Sequence, residues 1–175
     1  MHHIVRRATC ADSVAVARAA RETWHVTYAH SVAPHNQLQV LERSYAPDAL
    51  AQAIAAEHSW FYVADDGGRV VGFAQFMRRA DGQGELARLY VLPDHQRRGI
   101  GCAFLASGAE AMKMAGIELC YASVEMDNSP AMTFYRRFGF RRHREHANFL
   151  GDQVVRLIEL SVSVAELQKA VSIAG

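Results

Sequence analysis

Gln96-Arg97-Arg98-Gly99-Ile100-Gly101-Cys102 lies between a strand-like stretch, Glu85 to Leu92, and an Ala-rich stretch of helical spacing that runs to Ala115. Gly99 and Gly101 lack a Cβ, so the backbone can close on a ligand and its amides can converge on an anion. A helix that follows adds unpaired N–H groups and the positive end of its dipole, while Arg97 and Arg98 add formal charge. Strand, basic turn and helix in that order suit a pyrophosphate. No Gly-Lys-Ser or Gly-Lys-Thr follows, which sets the segment apart from an ATP-binding loop. Phe104 stands where a dinucleotide fingerprint needs a third small residue. Gly-rich turns before helices also serve plain packing, so the meaning of this one rests on its surroundings.

Downstream, Leu119 to Val124 is a β-branched strand. It must run parallel to the strand before the helix, because that connection is a crossover. Upstream, Ser59 to Ala64 and Arg69 to Arg78 are strand-like runs joined by Asp65-Asp-Gly-Gly68, and Asp81-Gly-Gln-Gly84 leads into Glu85. Glycines that accept positive φ make these antiparallel hairpins. Asn128 to Phe138 reads as a helix stopped by Gly139. Phe140 to Phe149 and Val154 to Ser161 then form a hairpin around Gly151-Asp152, and Val164 to Ile173 a terminal helix. At the other end, Ile4 to Arg7 reads as a strand, with Asp12 as N-cap of a helix over Ser13 to Tyr28 whose Val14 and Ala17 mark the apolar face. A gap at His30 to His35 precedes helices over Asn36 to Arg43 and Pro47 to Ala56, the latter opened by its proline. The expected fold is α/β (α+β), one domain over residues 1–175, with a twisted, mixed, mostly antiparallel sheet flanked by helices.

With 50% hydrophobic and 21% charged residues the composition is that of a soluble globular protein, and a net charge of +1 gives no general attraction to nucleic acid or an anionic membrane. No apolar run reaches the ~20 residues of a membrane span, and Met1 to Arg7 has no secretory pattern, so a cytoplasmic location is expected. Cys10, Cys102 and Cys120 form no Cys-x-x-Cys pair and are expected to be buried or half-buried. Cys102 becomes reactive if the helix N-terminus lowers its pKa. His25, His30 and His35 do not share one helical face, so no metal site is expected. The cluster Arg141 to His146 reads as a solvated strand edge or a rim near cofactor phosphates.

Leu89-Tyr-Val-Leu-Pro93, the turn Gln96 to Gly101, and Asn128-Ser-Pro-Ala-Met-Thr-Phe-Tyr135-Arg-Arg-Phe-Gly139-Phe140 together resemble the acetyl-CoA core of the GNAT family of N-acetyltransferases. Thr23-Trp24-His-Val-Thr27-Tyr28 and Phe149-Leu-Gly151-Asp152-Gln153 are similar to the bacterial spermidine/spermine acetyltransferase branch. The resemblance implies a GNAT-type acyl-CoA N-acyltransferase fold and acetyl-CoA as cosubstrate. Gln96, Arg97, Arg98, Gly99, Ile100, Gly101 and Cys102 then face the pyrophosphate, and the backbone of Leu89, Tyr90, Val91 and Leu92 faces the pantetheine amides in a splay between two parallel strands. In that family an amide near Val91 or Leu92 polarises the thioester carbonyl. Asn128 contacts the pantetheine or caps its helix, and Arg137 reaches a phosphate or faces solvent.

An ammonium must lose a proton before it attacks, so the reaction needs a base, directly or through water. Glu85 is the first candidate, since period-two counting puts it on the same strand face as Val91 and the family position often carries an acid. Glu125, Asp127 and Asp152 are the alternatives. Tyr135 is the candidate acid for the departing thiolate, or else a packing aromatic. Trp24, Tyr28, Tyr45, Trp60 and Phe149 are candidate walls of an acceptor pocket, with Glu22, Glu42, Asp48 and Asp152 available for a second ammonium. A polyamine is the favoured acceptor; a protein N-terminus, an amino acid or an aminoglycoside are alternatives, as is a non-catalytic acyl-CoA sensor. The expected partners are acetyl-CoA and a small amine, with no nucleic acid or membrane, for a monomer or homodimer.

Overall fold

A computed structural model describes residues 3–174. Seven strands form one sheet in the order β1-β2-β3-β4-β5-β7-β6. They are β1 (Ile4–Arg7), β2 (Ser59–Asp66), β3 (Arg69–Arg78), β4 (Gly84–Val91), β5 (Leu119–Glu125), β6 (Arg141–Leu150) and β7 (Gln153–Ser163). All neighbours pair antiparallel except β4 and β5, which are parallel, as a crossover requires. Six α-helices flank the sheet: α1 (Ser13–Thr27), α2 (Pro34–Ser44), α3 (Pro47–Ala55), α4 (Ile100–Met114), α5 (Ser129–Arg137) and α6 (Val164–Ala174). Among the described residues no helix is long and apolar enough to cross a membrane.

Alternation along β3 sorts the two faces. Gly72, Ala74 and Phe76 face α4: a Cβ at Gly108 of α4 would lie inside the Phe76 ring, and Gly72 faces Phe104. Val71, Phe73 and Gln75 face the other way, where Phe73 meets Tyr45 at 6.2 Å and Tyr90 at 5.4 Å between ring centroids. Phe73, Phe76 and Phe104 are fully buried, each contributing roughly 1.5–3 kcal/mol by removal from water. The sheet is thus a wall, with α4 behind it and α1 in front.

Several expectations change in detail. The long helix starts at Ile100 rather than Gln96, because Arg97 and Gly99 take left-handed φ of 60° and 84° that no α-helix contains. Helix α2 starts at Pro34 rather than Asn36, because the fixed φ of a proline suits a first helical position. Asp12 occupies the N-cap position of α1 but makes no cap bond; its carboxylate accepts from Arg6 at 2.8 and 2.9 Å and from the Thr9 amide at 2.8 Å. Val14 is 59% exposed, since the buried stripe runs through Val16, Ala17, Ala20 and Trp24 and Val14 lies about a quarter turn to one side of it. Cys10 is exposed rather than buried.

Candidate active site

Strands β4 and β5 pair only over Gly84–Leu86 and Cys120–Ala122, then part. Beyond that point β4 continues to Val91 and β5 to Glu125 with a gap between them. The Leu92 amide donates to the Val71 carbonyl at 2.8 Å, so alternation sends the Tyr90 backbone groups to β3 and those of Leu89 and Val91 into the gap. Of the two amides expected to polarise a carbonyl, Leu92's is taken and Val91's is free of β3. The Val91 carbonyl accepts from the Gln96 side chain at 3.0 Å, which turns Gln96 back onto the strand end.

The basic turn sits at the wide end of that gap. The first i→i−4 bond of α4 runs from the Ala103 amide to the Gly99 carbonyl, so the amides of Ile100, Gly101 and Cys102 have no partner within the helix. Arg97 and Arg98 are exposed beside them. Gly101 lies against the Phe134 ring, where a Cβ would come within 2.9 Å. The Cys102 thiol is pushed up by burial, more than the nearby Arg137 charge lowers it, which removes the reason to expect reactivity there. Arg137 is near enough to act on that thiol, and its guanidinium lies 5.8 Å from the Phe138 ring centroid. The Asn128 side chain caps α5 by accepting from the Ala131 amide at 3.1 Å.

At the mouth of the gap the Tyr28 and Tyr90 hydroxyls are hydrogen-bonded at 3.0 Å. Burial, then Tyr45 and Glu125, push the Tyr28 phenol up to about 12, although the bond to Tyr90 lowers it. Tyr135 is buried between Phe134 and Phe140, with ring centroids 5.3 and 5.1 Å away, and burial raises its phenol well above the usual range, with Cys120 and Tyr28 adding to the shift. It therefore keeps its proton at neutral pH. Glu125, half-buried at the end of β5, accepts from the Ser31 hydroxyl at 3.0 Å. The loop bearing Ser31 is pinned by Gln153, which donates to the Ser31 carbonyl at 2.6 Å and accepts from the Ala33 amide at 3.0 Å.

The other carboxylates stand apart from this mouth. A bulge at Ala87, between the pairs Phe76↔Leu86 and Gln75↔Arg88, adds one residue to β4 and reverses the alternation. Glu85 therefore shares a face with Arg88 and Tyr90, not with Val91, and lies where β4 and β5 are still paired. Asp152 accepts from Asn36 at 2.8 Å and pairs with His35 at 3.0 Å, tying the last hairpin to the start of α2. Asp127 is exposed just past β5. Among the aromatics, Trp24, Tyr28, Tyr45 and Tyr90 form one cluster, with Trp24 4.4 Å from Tyr28 and 5.6 Å from Tyr45. Trp60 pairs with Phe76, on the α4 side, and Phe149 is 72% exposed, so neither belongs to it. Ser31 and Arg88 had no motif to single them out; only the fold brings them here. Among the described residues no His, Cys, Asp and Glu gather as a metal site.

These residues fit a coenzyme A thioester: free helix-terminal amides and arginines for the pyrophosphate, and strand-edge amides at Leu89 and Val91 for the pantetheine. Residues 14–140 match the family described as Acetyltransferase (GNAT) family. Mycothiol acetyltransferase of Clavibacter sepedonicus is 33% identical over 69% of this chain, but the chain spans only 39% of that protein. Spermidine N(1)-acetyltransferase of Thermoplasma acidophilum is 28% identical over 78% of this chain and 87% of its own length. The PaiA N-acetyltransferase of Thermoplasma acidophilum, solved in complex with coenzyme A, superposes with a TM-score of 0.79 at 25% identity over 91% of this chain and 98% of its own. A family match across well over half its length and the fold of a coenzyme A complex agree: this chain belongs to the GNAT acetyltransferase family, whose cosubstrate is acetyl-CoA.

Proposed function

We propose that this chain transfers the acetyl group of acetyl-CoA directly to a primary amine of a small molecule in a ternary complex. The observation that carries the reading is the parting of β4 and β5, with the Val91 amide turned away from β3 into the gap and Glu125 at the open end of β5; the Tyr28 hydroxyl, bonded to Tyr90 at 3.0 Å, is close enough to feel Glu125 and to act on Tyr135. The amide stabilises negative charge as it develops on the carbonyl oxygen. Glu125 accepts the proton of the incoming ammonium, and the nitrogen forms its bond to the acetyl carbon as the carbon–sulfur bond breaks. Tyr135 gives its proton to the departing sulfur and is reprotonated, through water, by the second proton that leaves the nitrogen as the amide forms, while Glu125 releases the first to solvent. Glu125 takes precedence over Glu85 because it borders the open end of the gap and Glu85 the closed one.

The polyamine reading rests on the spermidine acetyltransferase of Thermoplasma. The acids available for a second ammonium are dispersed and engaged, Glu22 with Arg69 at 3.5 Å and Asp152 with His35 and Asn36. The test is thiol release from acetyl-CoA, followed continuously with a thiol-reactive dye against panels of polyamines, amino acids, aminoglycosides and peptides. Release that depends on one amine class supports the reading; coenzyme A binding without release under any amine overturns it in favour of a sensor.

A further inference from the structure

Two buried hydrogen-bond donors beside the reacting end have no partner. Nη1 of Arg88 and Nε1 of Trp24 are both shut off from solvent and unbonded. They flank one ring: the Arg88 guanidinium carbon lies 4.6 Å from the Tyr45 centroid and the Trp24 ring 5.6 Å from it. Trp24 is only 5% exposed. Buried donors left unmade are costly, and a guanidinium cannot shed its charge to reduce that cost. Both groups only donate, so what completes them must accept, and among acceptors the full positive charge and fork of Arg88 favour a carboxylate.

The fold says which substrate brings it. Arg88 and Tyr90 lie on the α1 side of β4, opposite Gln75 and Phe73, whereas α4, with the basic turn at its N-terminus, lies behind the sheet. Arg88 is therefore separated from the phosphate end by the sheet itself. It is three residues from Val91, about 10 Å along an extended strand, a span that the arginine side chain and a small carbon skeleton bridge together. Trp24, Tyr28, Tyr45 and Tyr90 offer that skeleton aromatic walls.

We propose that Arg88, with Trp24 as second donor, selects an acceptor that carries a carboxylate as well as its amine, an amino acid or a close analogue. This rests on the acetyltransferase function proposed above and gives its acceptor a chemical class. A polyamine brings only cations, which the Arg88 charge repels.

Matched pairs that differ only in the carboxylate test it: lysine against cadaverine, ornithine against putrescine, phenylalanine against phenethylamine, with spermidine alongside. In the thiol-release assay the carboxylate member of at least one pair is expected to have kcat/KM roughly 30-fold or more above its partner, the scale of a charge-assisted hydrogen bond. Arg88→Met is expected to lower kcat/KM for that amino acid roughly 100-fold, mainly through KM, and to collapse the ratio within the pair toward one; Arg88→Lys restores part of it. Coenzyme A calorimetry and the melting temperature check that the variants fold. Should Arg88→Met not fold, Trp24→Phe, which removes the N–H and keeps a ring, and the wild-type ratios carry the test. Amines equal to or better than their amino acids, or a variant that slows both members alike, overturn the proposal while leaving the acetyltransferase reading in place. Absence of thiol release with every amine tested overturns both.

Discussion

The two sides of β4 were built in different ways. Behind the sheet the cofactor end is a local object: strand end, basic turn and helix N-terminus follow one another from Val91 to Cys102, and each amide is aimed by its immediate neighbours. In front, the acceptor end is held by bonds between distant segments, Tyr28 to Tyr90, Ser31 to Glu125 and Gln153 to Ser31, spanning 62, 94 and 122 residues. On the proposed function, the ligand shared by a whole family would be met by backbone and the partner that varies by side chains from far-apart stretches, which can change without disturbing the turn. The two halves meet only at the mouth of the gap.

That division can be broken by experiment. Tyr135→Phe removes the proton donor and keeps the buried ring, so kcat is expected to fall about 10²–10³-fold while calorimetric affinity for acetyl-CoA stays within a few-fold. Equal losses in both would make Tyr135 a packing residue of the cofactor end. Glu125→Gln is expected to lower kcat by about 10²-fold and Glu85→Gln by far less, because the two carboxylates lie at the open and closed ends of the same gap. The reverse ranking would return the base to Glu85. Gly99→Val forces a branched side chain into a left-handed φ of 84°, with nothing within 4 Å to clash, so the defect is one of backbone strain of order 1–2 kcal/mol. Coenzyme A binding should weaken roughly 10-fold or more, with the acceptor cluster intact; unchanged affinity would reduce the turn to a structural feature.

The smallest effect concerns how the front half is anchored. The Arg6 guanidinium holds the Asp12 carboxyl at about 2, below its usual value near 3.8, and so ties the start of α1 to β1. A lowered carboxyl stabilises the fold above its unfolded pKa, and that stability is lost as pH falls through about 2. Discounted for solvent screening of a pair whose arginine is half-exposed, the shift corresponds to about 1 kcal/mol. Wild type should lose this increment in denaturant melts between pH 5 and 2, and Asp12→Asn should start without it and show a flatter acid limb. Identical acid limbs would remove the Arg6–Asp12 pair as the anchor. At the opposite extreme burial raises the Cys120 thiol to about 12, a contribution present below its unfolded pKa and lost on alkaline titration.

Most element boundaries were readable because their causes are local. Gly67-Gly68, Gly116, Gly139 and Gly151 adopt the positive φ that marks turns and helix ends, and the apolar periods between them were of the right length. The misplacement of Glu85 has a physical cause: Ala87 carries no glycine or proline to announce a bulge, yet one inserted residue reverses every face beyond it. Asp12 was placed at the right helix end but given the wrong partner, because Arg6 competes for its carboxylate across the β1–α1 connection. Ser31 and Arg88 lie in no pattern of their own and acquire meaning only from what the fold sets beside them.

Family, order and kind of the elements, and the basic glycine turn at the head of α4 could all be read from the chain, because such a turn is made by consecutive residues whose conformational freedom and charge are properties of the residues themselves. The tertiary structure alone decided which carboxylate reaches the open gap, which strand-end amide is free, and that a tryptophan and an arginine 64 positions apart in the chain leave two buried donors around one tyrosine ring. Those outcomes depend on strand register and on long-range packing, and neither is encoded within any window of neighbouring residues.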